Sequence, residues 1–88
     1  MTVRIDVNIP ELGTKSTYVV ITGIPEDLPQ EYESTVIKTA ERQFAQALNQ
    51  RLFLEFYNPG KTSNDEQPLF VNLSKVDSIA ITSIQKVN

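Results

Sequence analysis

The opening stretch MTVRIDVNIP constrains the fold more than any other. Val3, Ile5, Val7 and Ile9 are apolar, while Thr2, Arg4, Asp6 and Asn8 between them are polar. A period of two sends the first set to one face of a β-strand and the second to the other. The chain must therefore build a sheet with one covered face and one wet face. Pro10 has no N–H for a ladder and stops the pairing. PELGTKS, over 10–16, reads as a connecting loop.

TYVVIT, over 17–22, is β-branched and aromatic, which predicts a second strand. Here both faces are apolar, Val19 and Ile21 on one and Tyr18 and Val20 on the other. The short loop before it predicts an antiparallel hairpin with the first strand. Gly23 and Pro25 end the β pattern. Asp27 is a suitable helix N-cap with Gln30 three residues on, and Pro29 is tolerated in the first turn. From there to about Asn49, Tyr32, Val36, Ala40, Phe44, Ala47 and Leu48 recur at spacings of three and four. They form one apolar stripe, which Ile37 widens. Glu26, Asp27, Glu31 and Glu33 gather at the helix start, and Lys38, Arg42 and Arg51 follow later. That order complements the helix dipole, so the acidic cluster reads as structural.

RLFLEFY, over 51–57, is a third strand. It places Leu52, Leu54 and Phe56 on one face and Phe53, Glu55 and Tyr57 on the other. NPGKTSNDEQP, over 58–68, has no apolar side chain besides its two prolines. It is the longest loop and the one expected to move most. In LFVNLSKVDSIAITSI, over 69–84, Leu69, Val71, Leu73, Ile79 and Ile81 keep odd numbering, but Val76 and Ile84 do not. One regular strand cannot hold all of them on one face. The economical reading is a strand at 69–73, a turn through SKVD with Val76 folded inward as a plug, and a strand at 78–84. Ser74 and Asp77 are suited to bond the backbone of that turn. A bulged continuous strand is the competing version.

These elements predict an α+β fold with β-β-α-β-β order: a two-layer sandwich in which one long helix covers one face of a mainly antiparallel sheet of four or five strands. Two strand orders satisfy the count. One places the final strand beside the first, and the other is a plain hairpin–helix–hairpin. The 88 residues suit a single domain over 1–88, with a folded surface of roughly 5,000 Å².

The absence of Cys and His removes disulfides, thiolate nucleophiles, the commonest general base and the commonest transition-metal ligand. Ser74–Lys75 and Lys15–Ser16 are adjacent Ser/Lys pairs, but neighbours on a strand point apart, so neither reads as a catalytic pair. Asn64, Asp65 and Glu66 lie in the polar loop without the oxygen-ligand rhythm of a calcium loop, and read as solvated charge. GKTS within the same loop lacks the earlier glycine and the following helix of a phosphate-binding loop. Glu55 sits among aromatics and needs a partner if buried, with Arg51 or Lys75 as suppliers. No catalytic residue, cofactor or metal is expected.

The longest purely apolar run is VVI, too short to span a bilayer, so no membrane partner is expected. The alternating start has no continuous apolar core of a secretory leader. The expectation is a cytoplasmic protein, or a mature segment whose leader was removed. The net charge of −3 makes nucleic acid a poor partner.

One helix covers one face, yet the second and third strands are apolar on both. Tyr18, Val20, Phe53, Tyr57 and Phe70 are the expected surplus on the uncovered face. The loop at 58–68 or a terminus shielding them is one account, and a homodimer or protein interface is the leading one. A platform for stacking single-stranded nucleic acid is the alternative. Arg4, Lys15, Arg51 and Lys75 frame it, but Asp6 and Glu55 oppose a phosphate backbone. The sequence therefore predicts a small non-enzymatic protein-interaction module, homodimeric through a sheet face or a strand edge. On the sheet-face version, Phe53→Ser or Tyr57→Ser should give a folded monomer.

Overall fold

A computed structural model of the chain describes residues 1–22, 30–50, 53–62, 64–75 and 78–87. The strands are β1 (Thr2–Ile9), β2 (Gly13–Val20), β3 (Phe53–Phe56), β4 (Leu69–Asn72) and β5 (Ala80–Val87), with one helix, α1 (Glu33–Gln50), between β2 and β3. Short 3-10 turns occupy Gln30–Tyr32 and Leu73–Lys75.

The alternation of β1 has the predicted outcome: Val3, Ile5, Val7 and Ile9 are all buried. β2 begins at Gly13, inside the expected loop, because the turn after β1 is tight. The Leu12 N–H donates to the Ile9 carbonyl at 3.0 Å, and both Glu11 and Gly13 take positive φ, 72° and 82°. The left-handed conformation at these two positions reverses the chain in three residues and brings Gly13 opposite Ile9. Thr14, Lys15 and Ser16 then pair with Asn8, Val7 and Asp6.

The α1 stripe buries Val36, Ala40 and Phe44, with Ala47 and Leu48 packed beside them. Tyr32 departs from the expected stripe and is exposed. It lies in the 3-10 turn, where three residues per turn rotate a side chain out of phase with an α-helical stripe. The expected cap at Asp27, and Pro29, lie outside the described residues, as do Arg51, Leu52, Val76 and Asp77.

β5 lies beside β1, so the final strand neighbours the first. The expected single sheet of four or five strands is instead two antiparallel sheets, one ordered β2-β1-β5 and one ordered β3-β4. Among the described residues a single bridge joins them: Ser16 and Tyr57 exchange two backbone hydrogen bonds of 2.8 Å. Leu54 and Phe56 of β3 and Val71 of β4 turn into the same core as β1 and α1.

The broken rhythm of 69–84 has two sources. The first is the 3-10 turn after β4, where the Ser74 N–H and Oγ both donate to Asn72 Oδ1, at 3.0 and 2.7 Å. The second is a bulge inside β5. Asp6 pairs with Ser83 but Val7 pairs with Ile81, which leaves Thr82 as the extra residue. The bulge changes the parity, so Ile81 and Ile84 both share the face of Val7 and Ile5. Thr82 Oγ1 donates to the Asp6 carbonyl at 3.1 Å and pins the distortion. Among the described residues, no helix is long and apolar enough to cross a membrane.

Candidate functional site

The polar face of the three-stranded sheet centres on Asp6. Directly opposed residues share a face, so Ser16 on β2 and Ser83 on β5 flank it. Ser16 Oγ donates to Asp6 Oδ1 at 2.5 Å, and Ser83 Oγ to Asp6 Oδ2 at 2.7 Å. Arg4 Nε stands 3.3 Å from Asp6 Oδ1, an ion-pair distance without the alignment of a hydrogen bond. Another nitrogen of the Arg4 guanidinium donates to Gln85 Oε1 at 2.8 Å. Burial by itself raises the Asp6 pKa. The two serine hydroxyls and the Arg4 charge outweigh it and hold the carboxyl below the ordinary aspartate value. Ser16 is fully buried, so this cluster ties three strands together and does not present a nucleophile. Sequence reasoning placed Asp6 on the wet face. It missed Ser16 because the hairpin register depends on the tight turn.

The expected surface residues divide. Val20, Phe53 and Phe70 are 63%, 50% and 59% exposed, but Tyr57 is only 9% exposed and Tyr18 is partly buried. Tyr57 does not stand open on a sheet face, as the sequence led us to expect. Its backbone joins β2, and its ring tilts against that of Tyr18 at 60°, with centroids 5.8 Å apart. Val20 stands on the three-stranded sheet, opposite Thr2. Phe53 and Phe70 share the outer face of the two-stranded sheet, where Phe70 opposes Glu55.

The 58–68 loop, expected to be mobile, is held by its own hydrogen bonds. Asn58 donates through its backbone N–H and Nδ2 to the two Glu66 carboxylate oxygens, at 2.7 and 3.1 Å. Lys15 Nζ donates to Asn58 Oδ1 at 2.8 Å, which ties the loop to β2. Gly60 takes a φ of 79° within this loop. The Tyr18 hydroxyl donates to the Lys61 carbonyl at 2.8 Å, so the loop also fastens one ring of the tyrosine pair.

Where β2 and β3 part, a groove of about 430 Å³ opens. Thr2, Tyr18 and Val87 line it from the larger sheet, Glu55 and Tyr57 from β3 and its extension, and Thr62 from the loop. Glu55 is exposed and accepts a hydrogen bond from the Tyr57 hydroxyl at 3.2 Å. The structure thus brings Tyr18 and Tyr57 together in one groove and leaves Val20, Phe53 and Phe70 outside its lining. Among the described residues, no group of acidic side chains is placed to hold a metal ion.

The second surface feature is a strand edge. β5 is eight residues long and has β1 as its one neighbour among the described strands. Ala80, Ile81, Thr82, Gln85, Lys86 and Val87 on it are exposed. Comparison with protein-family models, curated proteins and solved structures finds no match to this chain.

Proposed function

We propose that this protein is a non-enzymatic contact module that pairs with a second copy of itself through the open edge of β5. The observation that carries this reading is the length and chemistry of that edge. Edge strands are ordinarily protected by proline, by several charges, by brevity or by a bulge, and of these devices β5 has the bulge at Thr82. β5 has eight residues, AITSIQKV, with no proline and a single charge, Lys86. Two such strands meeting antiparallel across a two-fold axis extend the sheet to β2-β1-β5-β5-β1-β2. The same symmetry sets the two Lys86 side chains at opposite ends of the pairing, where they do not repel. Ile81 and Val87, both partly exposed, lie along the seam.

The edge is preferred over the sheet face because the face is partly self-covered. The loop and the β2–β3 bridge already shelter Tyr57 and fasten Tyr18. The net charge of −3 weighs against the nucleic-acid alternative, because it opposes a phosphate backbone.

Sedimentation velocity tests the proposal. At roughly tens of micromolar, the range in which a modest interface associates, the wild type should sediment as a dimer. Ile81→Lys, which adds a charge at a partly exposed edge position, should sediment as a folded monomer. A wild type that stays monomeric rejects the reading.

A further inference from the structure

The geometry points to a second, separate capacity: we propose that the groove between β2 and β3 binds an organic cation, an alkylguanidinium or alkylammonium group, between the tyrosine pair and the Glu55 carboxylate. The groove volume of about 430 Å³ falls in the range of small-ligand sites. Its lining contains one carboxylate and no basic side chain. Glu55 is exposed and has no ion-pair partner among the described residues. Its hydrogen bond from the Tyr57 hydroxyl orients the carboxylate, and no cationic side chain among the described residues neutralises it.

The rings supply the second half of the site. An aromatic face attracts a cation through its quadrupole. Tyr18 and Tyr57 both line the groove at a mutual tilt of 60°, Tyr57 at only 9% exposure, and the Tyr18 ring is fixed by its hydroxyl bond to the Lys61 carbonyl. That bond positions the ring before any ligand arrives, so little ordering is left to binding. Arg4 lies opposite Tyr18 in the register. Its guanidinium is engaged with Asp6 and Gln85. Anionic ligands, phosphate groups included, are disfavoured by the same lining.

The cation has two sources, an arginine side chain on a partner polypeptide or a free small amine. Amide-resolved NMR titration separates them. Ethylguanidinium chloride is added to the ¹⁵N-labelled protein against sodium chloride at equal ionic strength, and a short peptide with one arginine is titrated in parallel. Saturable shifts should appear at Thr17, Tyr18, Glu55, Tyr57 and Thr62. E55Q, checked for an unchanged amide fingerprint, should weaken binding about five-fold or more, and Tyr18→Leu about two- to five-fold. Tighter binding of the peptide than of ethylguanidinium assigns the site to a polypeptide partner, and equal binding assigns it to a free cation. Shifts that match sodium chloride, or an affinity unchanged in both variants, overturn the proposal. The two readings fail separately, since the titration reads the groove and sedimentation reads the dimer, although Val87 belongs both to the groove lining and to β5.

Discussion

Asp6 shows how one residue on an open face acquires a structural role. Its carboxylate accepts hydroxyls from β2 and from β5, so Asp6→Asn should destabilise the fold by about 1–3 kcal/mol at neutral pH. The folded pKa lies below the unfolded one. The contribution of Asp6 is therefore fully present above the unfolded value and is lost as pH falls through the folded one. Urea unfolding near neutrality and in the acid range should show the gap between wild type and Asp6→Asn closing on acidification. A gap that does not depend on pH contradicts the assignment. Glu11 makes the opposite case. It holds a φ of 72° with a side chain that disfavours it, so Glu11→Gly should stabilise the turn by up to about 1 kcal/mol. Thermal denaturation reads that gain. Tyr57→Ser now parts company with Phe53→Ser. Tyr57 is buried, and its loss should cost about 3 kcal/mol in a melt, whereas the half-exposed Phe53 should be replaced at about 1 kcal/mol or less.

The elements divide by how locally their causes act. β1 was legible because its alternation is complete within eight residues. α1 was legible because Val36, Ala40 and Phe44 repeat at four-residue spacing within a helix of 18 residues. Phe44 is fully buried in that stripe, and Phe44→Ala should cost about 3–5 kcal/mol, a large share of the stability of a domain this size. Circular dichroism melts check it, and a shift of only a degree or two would mean that α1 does not anchor the core. The first half of β2 was not legible, because Gly13, Thr14 and Lys15 have no intrinsic strand pattern and are paired only because β1 runs alongside. The parity change in β5 was visible as an anomaly at Ile84. Its cause, one extra residue at Thr82, depends on a partner strand more than seventy positions away in sequence. The division into two sheets was hidden for the same reason. The bridge at Ser16 and Tyr57 is a long-range pairing with no local signature. Of the expected surface residues, parity alone placed Phe53 and Phe70 correctly outward. It could not foresee that Tyr57 would continue past β3 into the edge of β2.

At the scale of the molecule, the principal extents are 39, 27 and 19 Å and the accessible surface is 5941 Å². A compact monomer of this mass exposes roughly 5,000 Å². β5 lies at a rim of the larger sheet, with β1 as its one neighbour among the described strands. In the proposed dimer the association runs through this rim. Hydrogen–deuterium exchange of the β5 amides at rising protein concentration tests it most directly. Every second amide of β5 should exchange quickly in dilute solution and become protected as the dimer forms, while Phe53 and Phe70 are unaffected. Exchange along β5 that does not change with concentration, or protection that appears at Phe53 and Phe70 instead, contradicts it.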